Sequence, residues 1–373
     1  MGLQKEALAI AVLIAILFSS IASAEIIVGQ ANSIYNIGDP FSISVQLIPP
    51  RDTSDFFVAS LICGEKEIEL YKVPYELKAG IEQQISISST FGKFLIGDAI
   101  GECTIKAKYG GEEIASQKFQ LSNQIDLSIN IGGLSFDPGS SITITGEAAK
   151  ANQAPLNGFI EIKVEELNIN LATQINGGTF TTNFTIPENV KADIYTVSAR
   201  AYEKDQLGNI LNEGRSSATL KVRQVIKGLS IAINEQSISP RTALIYNPLV
   251  YDQAGDPIAT NVEISIYRPD GSLLENKLVN TGESYSLMIE SDFSPGNWKI
   301  EGKSSEFATS KSFFVDELRE VSFFVSDTNK TLTIANTGNV PYTGPVEISI
   351  GSVHEIKQIE NLKVGESKSN LHK

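Results

Sequence analysis

Histidine and cysteine, which build many catalytic and metal centres, are scarce in this chain. Its 373 residues include two histidines, His354 and His372, and two cysteines, Cys63 and Cys103. A Ser-His-Asp triad needs a histidine held in a packed cleft, but both histidines lie in polar surroundings, where we expect them to be exposed. One cysteine pair and two distant histidines cannot supply the four ligands of a zinc site.

The signature motifs of common enzyme classes are also missing. The sequence has no Gly-x-Ser-x-Gly elbow, His-Glu-x-x-His helix, Walker loop or dinucleotide-binding fingerprint. A carboxylate pair could still hydrolyse glycosides, but Glu161, Glu165 and Glu166 are typical of acidic residues on turns or wet strand faces. We therefore predict no catalytic residue and no bound cofactor, and we expect that the protein is not an enzyme.

Basic residues are outnumbered by acidic ones. There are 30 Lys and Arg against 44 Asp and Glu, which gives a net charge of −14 at pH 7. This balance disfavours nucleic acid as a partner, because binding to phosphates needs a basic face. An acidic surface that keeps an exported protein soluble is the simpler interpretation of the charge.

Only one long apolar run occurs, and it lies at the N-terminus. In Met1–Ala24, Lys5 precedes the apolar run Ala7–Phe18, and the segment ends in Ala22-Ser23-Ala24, the small-x-small pattern of a signal peptidase site. Cleavage would leave Glu25 as the first residue. The run is short for a membrane span of roughly 20 residues, so an uncleaved signal anchor is the alternative. Both interpretations predict an extracellular, cell-surface location.

Export favours a disulfide bond between the two cysteines. Cys63 ends an apolar run that begins at Phe56, and Cys103 begins an alternating strand. Their spacing is like that between strands C and F of an immunoglobulin-like sandwich, which are neighbours in one sheet; the familiar B-to-F bridge has a longer gap. Closing a loop of about 40 residues would add roughly 4 kcal/mol of stability. Two buried free thiols are the alternative.

Strands and turns fill the rest of the chain in a repeat of about one hundred residues, the pattern of β-sandwich modules in tandem. The repeats open with a turn before a strand, at Tyr35–Asp39, Phe136–Ser140 and Ser239–Arg241. They close with alternating strands, at Gly101–Ile105, Asp193–Val197 and Gly296–Ile300. We predict an all-β chain of tandem immunoglobulin-like β-sandwich domains after an N-terminal signal segment, with little helix.

We expect four modules, which we call modules one to four, with the boundaries 25–123, 124–224, 225–316 and 317–373. In module three, Asp252–Pro257 and Arg268–Gly271 predict hairpin turns. Module four, with about 57 residues against about one hundred in the others, is expected to be partial. Either the reading frame is truncated, which we favour, or a partner donates the missing strand.

Module two resembles the macroglobulin-like and bacterial immunoglobulin-like modules. In those families a Pro-Gly turn precedes an alternating strand, here Ser141–Gly146, and a small-Pro-Leu turn follows, here Ala154–Gly158. A Gly-x-Phe strand at Gly178 and a strand around Tyr195 complete the pattern. The resemblance implies the architecture alone, because the thioester motif Gly-Cys-Gly-Glu-Gln of true macroglobulins is absent.

Module four resembles the CARDB and related surface adhesion sandwiches. An alternating strand meets Asn-x-Gly in Thr331–Val340, and a second strand follows at Val346–Ile350. Together the two resemblances imply an exported prokaryotic surface protein, with an archaeal host as one option.

Two loops are candidate calcium sites, because carboxylates and carbonyls from loops are the ligands that calcium prefers. They contain Asp205 with Asn209, and Asp252 with Asp256. Neither matches a known calcium repeat, and ordinary Asx turns are the alternative.

Two sequons, at Asn183 and Asn329, are candidate glycosylation sites in an exported protein. Trp298, Tyr195 and Tyr267 lie on strand patterns, where a place in the core is favoured over a carbohydrate platform.

These observations predict a non-catalytic exported protein that acts as a structural stalk or an adhesive surface. Its partner would be a protein or carbohydrate at the cell surface. One alternative is an accessory, substrate-binding region of an exported hydrolase. Another is an assembly factor that works by strand addition.

Overall fold

The computed structural model describes residues 25–326, 331–350 and 352–369. The predicted signal segment Met1–Ala24 lies outside the described residues. Within them almost all of the regular secondary structure is β-strand, as the alternating pattern predicts, and the chain forms tandem β-sandwiches. No helix in the described part of the chain is long and apolar enough to cross a membrane.

Module one is a two-sheet sandwich with one short helix. Its elements are β1 (Glu25–Val28), β2 (Ile34–Asn36), β3 (Pro40–Ile48), β4 (Thr53–Cys63), β5 (Lys66–Leu77), β6 (Gln83–Thr90), α1 (Lys93–Ile96), β7 (Gly101–Tyr109), β8 (Glu112–Ala115) and β9 (Phe119–Ser122). One sheet has the order β1-β3-β6, and the other has the order β2-β9-β7-β4-β5 with β8 paired to β7.

The core of module one follows from the period-two pattern of its strands. Along β3, Phe41, Ile43, Val45 and Leu47 are buried, while Ser42 and its alternate neighbours face outward. They pack against Phe57 and the rest of the facing sheet. A Phe41–Phe91 ring stack, with centroids 4.3 Å apart, closes one end of this core.

The predicted disulfide bond is confirmed. Cys63 and Cys103 lie directly opposite each other on the antiparallel neighbours β4 and β7, with a Cα–Cα distance of 4.3 Å. The bridge therefore lies within one sheet, as their spacing in the sequence predicts. Both side chains are buried.

One predicted strand of module one is interrupted. The sequence suggests a continuous strand from Ile114 to Leu121, but β8 ends at Ala115 and β9 begins at Phe119. Ser116 causes the break, because its hydroxyl accepts a hydrogen bond from the Ile105 backbone N–H (2.9 Å) and donates one to the Gln117 carbonyl (2.8 Å). Local hydroxyl bonds of this kind compete with sheet pairing.

Module two contains β10 (Ile125–Asn130), β11 (Ser141–Lys150), β12 (Gly158–Val164), a 3-10 turn (Glu165–Leu167), β13 (Ile169–Ile175), β14 (Thr179–Thr185), β15 (Ile194–Lys204) and β16 (Ile210–Lys221). Its sheets have the orders β10-β11-β14 and β13-β12-β15-β16. The sequence pattern did not predict β10 and β13. Each lies at the edge of its sheet and buries few side chains, so its apolar pattern is weak.

Module three contains β17 (Ile226–Ile233), β18 (Ser237–Ile238), β19 (Ala243–Asp252), β20 (Asn261–Tyr267), β21 (Leu273–Asn280), β22 (Tyr285–Met288), β23 (Gly296–Ser304) and β24 (Phe307–Val315). The sheet orders are β17-β19-β22 and β18-β24-β23-β20-β21.

Of the two hairpins predicted in module three, one forms as expected. The turn Arg268–Gly271 joins the antiparallel neighbours β20 and β21. At Asp252–Pro257 the chain does turn back, with a bridge between Tyr251 and Pro257. It then crosses to the other sheet, so β19 and β20 are not paired and the hairpin prediction is wrong there.

Module four contains β25 (Val321–Ser326), β26 (Thr331–Asn336), β27 (Tyr342–Ile350), β28 (Val353–Leu362) and β29 (Ser367–Ser369). The first two and the last form one sheet in the order β25-β26-β29, and β27 pairs with β28. The two sheets enclose a small core of Leu332, Ile334, Val346, Ile348, Ile359 and Leu362.

The chain divides into two compact units. The described residues of Met1–Ser135, Ser141–Thr185 and Ile194–Lys221 form the first unit, and those of Phe136–Ser140, Ile186–Asp193 and Val222–Lys373 form the second. The strands of modules one and two therefore belong to the first unit, and those of modules three and four belong to the second.

Removing the disulfide bond should destabilise the first unit. For the Cys63→Ala/Cys103→Ala variant we expect a loss of about 4 kcal/mol, because the open loop regains chain entropy on unfolding. Calorimetry of the full chain should show the transition of the first unit at a lower temperature and that of the second unit unmoved. Two titratable thiols in the unfolded, unreduced wild-type protein would contradict the bond.

Candidate functional site

Modules one and two meet within the first unit through buried amide side chains. Asn36 Nδ2, at the end of β2, donates hydrogen bonds to Asn212 Oδ1 (3.1 Å) and to the Gln124 carbonyl (3.0 Å). Asn212 Nδ2 in turn donates to the Ile37 carbonyl (2.8 Å) and to Glu203 Oε2 (2.7 Å). Asn36 and Asn212 are fully buried, so each amide depends on at least one partner in the other module.

A lysine between two carboxylates lies beside this amide pair. Lys150 Nζ, at the end of β11, is 3.2 Å from Asp39 Oδ1 in module one and 3.0 Å from Glu203 Oε2 in module two. The Asp39 carboxylate also accepts hydrogen bonds from Asn152 Nδ2 (2.7 Å) and from the Asn36 backbone N–H (2.7 Å). We call these six residues, Asn36, Asp39, Lys150, Asn152, Glu203 and Asn212, the polar junction.

Lys150 carries its charge in spite of its burial, with only 12% of its side chain exposed. Burial by itself would lower the pKa of Lys150, but the bonds and charges of Glu203 and Asp39 outweigh it, and the pKa is raised. The attraction between Lys150 and the two carboxylates is strong here because the surroundings exclude water. It also depends on the distances from Lys150 to Asp39 and to Glu203, so the junction favours one relative orientation of modules one and two.

The turn that positions Asp39 needs a glycine. Gly38 has a φ of 89°, in the region that favours glycine, and the Asp39 N–H donates to the Asn36 carbonyl at 3.0 Å. A Cβ atom at Gly38 would also lie 2.9 Å from Leu211 Cδ1 of module two. The opening turn predicted from Tyr35–Asp39 thus also forms part of the contact between the modules.

Modules three and four meet within the second unit through an exposed ion pair and the buried amide of Asn339. Arg241 pairs with Glu320, and Asn339 Nδ2 donates to the carbonyls of Phe293 (3.0 Å) and Asp316 (2.8 Å). The Arg241 side chain is 54% exposed. Water screens this pair, so it contributes far less than the Lys150 pairs.

The two candidate calcium loops are Asx turns. Asp205 Oδ1 accepts from the N–H groups of Leu207 (2.9 Å) and Asn209 (2.8 Å), and its other oxygen accepts from Asn209 Nδ2 (2.9 Å). Bonds from the Asn209 side chain and the local backbone lower the pKa of Asp205. The loop is therefore closed by its own hydrogen bonds.

The Asp252 loop has the same arrangement. Its Oδ1 accepts from the N–H groups of Ala254 and Asp256 at 2.9 Å, and Oδ2 accepts from Gln224 Nε2 at 2.9 Å. Burial alone would raise the pKa of Asp252, but these hydrogen bonds outweigh it and the pKa is lowered. N–H donors thus bond both carboxylate oxygens.

The aromatic residues singled out from the sequence are mostly in the core. Trp298 is buried, and its Nε1 donates to the Ser294 carbonyl at 2.8 Å; Tyr195 is buried as well. Tyr267 is half-buried, with Lys299 Nζ 4.8 Å from its ring centroid.

The predicted histidine and sequon positions are only partly described. His354 is exposed on β28, where its Nδ1 is 2.8 Å from Ser349 Oγ. Asn183 is exposed on β14, as a glycosylation acceptor must be. His372 and Asn329 lie outside the described residues. Within the described part of the chain, no group of three or more His, Cys, Asp or Glu side chains could hold a metal ion.

Sequence reasoning missed the polar junction. Asn36 and Asn212 are 176 residues apart, and no local motif connects them. Asp39 was noted only as part of a turn. The available signal was the alternation of polar residues along β15 and β16, which indicates that one side of these strands lies outside the core of module two. This pattern does not indicate which module that side meets.

Comparison with known proteins adds similarity to solved structures only. No protein-family model matches the chain. No curated protein matches it either. The native form of Escherichia coli alpha-2-macroglobulin is 10% identical, with a TM-score of 0.22, over 94% of this chain and 27% of that one. A Salmonella alpha-2-macroglobulin mutant is 11% identical, with a TM-score of 0.23, over 93% and 27%.

The chain thus spans about a quarter of the length of these two alpha-2-macroglobulins. Similarity at this identity and TM-score does not bear on what the chain does. The β-sandwich assignment rests on the strands and sheets described above.

Replacing Lys150 should weaken the first unit much more than replacing Arg241 weakens the second. We expect Lys150→Met to cost about 3 kcal/mol, because it leaves the Asp39 and Glu203 carboxylates buried without their cation. The matched control Arg241→Met, which removes a cation from an exposed pair, should cost at most about 1 kcal/mol. Calorimetry or denaturant unfolding of the full chain measures both. Equal losses would contradict a special role for the polar junction.

The same variant gives a pH signature. Because the pKa of Lys150 is raised in the folded state, its stabilisation is complete below the unfolded-state pKa of about 10.4 and is lost as the pH rises through the folded-state value. The stability difference between the wild type and Lys150→Met should therefore be constant from neutral pH up to about pH 10 and shrink above it.

Calcium should not stabilise the protein. Calcium takes six to eight oxygen ligands, whereas N–H donors already bond the carboxylate oxygens of Asp205 and Asp252. We expect the Tm of the full chain to be the same with millimolar calcium as with a chelator. A rise of several degrees that Asp252→Asn abolishes would show that the loop binds the ion.

Proposed function

We propose that the protein is a non-catalytic, exported structural protein whose β-sandwich modules present a binding surface outside the cell. The observation that carries this proposal is the polar junction. A buried cation between two carboxylates from different modules stabilises one relative orientation of modules one and two, and a spacer or adhesive surface needs a fixed orientation.

The energetics of the polar junction support a structural role. An amide pair alone would tolerate some rotation, since hydrogen bonds vary in angle. Lys150, by contrast, must stay near both Asp39 and Glu203, because separation would leave a buried charge uncompensated. Modules one and two would then act as one rigid body.

Export is supported by two independent features of the chain. The disulfide between Cys63 and Cys103 is of the kind that persists in oxidising compartments. The sequence of Met1–Ala24 has the composition of a signal peptide or signal anchor. A CARDB-like module four fits the same surface setting.

Strand addition is the second candidate function, and β25 is the observation that favours it. This strand lies at the edge of its sheet, and Phe323, Phe324 and Val325 are exposed on it. It has no charged residue to discourage pairing. An extended partner segment could add to it.

A distance measurement within the first unit tests the structural role. Spin labels at Glu82→Cys in module one and Glu166→Cys in module two, both exposed sites, report the relative orientation of the modules in the full chain. We expect a narrow distance distribution that broadens when Lys150→Met is added. Arg241→Met is the control and should leave the distribution unchanged.

A broad distribution in the otherwise wild-type chain would contradict the proposal. Calorimetry of the labelled Lys150→Met variant must still show folded modules, so that broadening reports motion between them and not unfolding.

A further inference from the structure

The outer face of the four-stranded sheet in module two is an open polar surface. Along β12, Ile160, Ile162 and Val164 are buried in the core. Their alternate neighbours Phe159 and Lys163 are on the opposite, outward face with Glu161. Arg200 on β15 lies opposite Glu161, and Arg215 on β16 lies opposite Arg200, so charged side chains form a row across three strands.

A groove of about 610 Å³ lies on this face, and its lining includes Glu161, Lys163, Ser198, Arg200, Arg215 and Ser217. Its volume is within the range of small-molecule sites, about 300–1,000 Å³. Such sites are mostly apolar, whereas this lining consists mainly of hydroxyl, carboxylate and cationic side chains. A matching ligand must therefore offer several polar groups to the groove.

The two arginines of the groove are paired with carboxylates. Arg200 Nη2 is 2.6 Å from Glu213 Oε2, and Arg215 Nη2 is 2.8 Å from Glu213 Oε1. Arg200 Nη1 also lies 3.8 Å from Glu161 Oε2. The hydrogen bond from Arg200 lowers the pKa of Glu213. The guanidinium of Arg200 is thus held between two carboxylates, so binding would not have to order it, whereas the Arg215 pair is largely exposed.

An aromatic pair borders the row. Phe159 stacks on Tyr202 with ring centroids 5.6 Å apart, and the Tyr202 hydroxyl donates to Glu161 at 3.2 Å. The cations of Arg200 and Lys204 lie 5.2 Å and 4.9 Å from the Tyr202 centroid. Tyr202 is thereby fixed from several sides, and Phe159 is 40% exposed on top of it.

We propose that this face of module two binds a neutral oligosaccharide or polysaccharide. Sugar hydroxyls both donate and accept hydrogen bonds, and the groove offers both kinds of partner on carboxylate, guanidinium and serine groups. The apolar C–H face of a sugar ring fits an exposed aromatic ring such as Phe159. This inference rests on the extracellular role proposed above and gives it a ligand class.

The same observations disfavour the other polar ligands. A polyanion would need several unpaired cations, but Arg200 and Arg215 are both bound to Glu213, which leaves Lys163 as the one cation of the groove lining without a described ion pair, and the chain has a net charge of −14. A peptide that anchors through apolar side chains would need apolar pockets, and Ala199 is the single apolar residue among those lining the groove.

The test uses the full chain and a panel of soluble neutral polysaccharides: a β-linked glucan, an α-mannan and a β-linked N-acetylglucosamine oligomer. Affinity electrophoresis detects binding, and titration calorimetry measures it. We expect one class to bind saturably. Phe159→Ala and Lys163→Ala should each weaken that binding at least tenfold, because the first removes the exposed ring and the second removes a side chain that lines the groove. Both side chains are on the outer face and outside the core, so the variants should still fold.

Matched controls come from module three. Tyr267→Ala and Lys299→Ala remove a similar cation–aromatic pair from a strand pair of that module, with a Lys299 Nζ to ring distance of 4.8 Å. They should leave binding unchanged. Calorimetry of all four variants shows whether any loss of binding reflects unfolding.

Ionic strength separates the ligand classes. Binding of a neutral sugar should be nearly independent of salt, whereas polyanion binding falls steeply as salt rises. Absence of saturable binding across the panel would overturn the proposal. So would binding that Phe159→Ala and Lys163→Ala leave intact, or tighter binding of a polyanion that salt abolishes.

Failure of this inference can be told apart from failure of the proposed function. Release of new reducing ends from the bound sugar would contradict the non-catalytic role while supporting a sugar site. A narrow distance distribution between the labels in modules one and two, with no sugar bound, would retain the structural role and reject the sugar site.

Discussion

Alternation of side chains between the two faces of a strand is the constraint on which the whole structure depends. One face of each sheet must be buried against its partner sheet, because a single sheet cannot shield its apolar side. The core of module one, built from alternate residues of β3 and its neighbours, is an example. The opposite faces and the strand ends are then free to carry polar contacts between modules or with ligands.

Burial of the cation distinguishes the two junctions between modules, because each junction also contains a buried amide, Asn339 in the second. Lys150 and Arg241 each bridge residues of two modules, but Lys150 lies among buried amides and Arg241 is largely exposed. An exposed pair loses most of its Coulomb energy to solvent, whereas a buried cation cannot leave its carboxylates without a large penalty. The Lys150 junction therefore has the stronger orientational preference of the two.

The sequence was sufficient to predict what depends on local pattern. Strand alternation gave most strands within a few residues, and the positions of Cys63 and Cys103 on neighbouring strands gave the disulfide. Edge strands such as β10 and β13 were missed because they bury few side chains. The crossing after Asp252 was missed because turn residues indicate that the chain reverses, and do not indicate which sheet it joins next.

Long-range polar contacts were beyond such reasoning. Nothing near Asn36 in the sequence points to Asn212, and Lys150 is one of 30 basic residues with no distinguishing neighbours. Asn36 meets Asn212 only because the fold brings the turn at Gly38 next to Leu211. Glu161 was expected on a turn or a wet strand face and lies on the outward face of β12, but its row with Arg200 and Arg215 depends on the register of three strands.

The polar junction and the groove share one pair of strands, and alternation explains how. On β15 and β16, Glu203 is opposite Asn212, and Tyr202 is opposite Glu213. The first pair points into the polar junction, while the second belongs to the groove face. Adjacent residues thus serve opposite faces, so a junction that fixes Glu203 and Asn212 also fixes the backbone that carries Tyr202 and Glu213. A surface supported in this way keeps its shape through the fixed backbone beneath it, so it does not depend on the order of its exposed side chains alone.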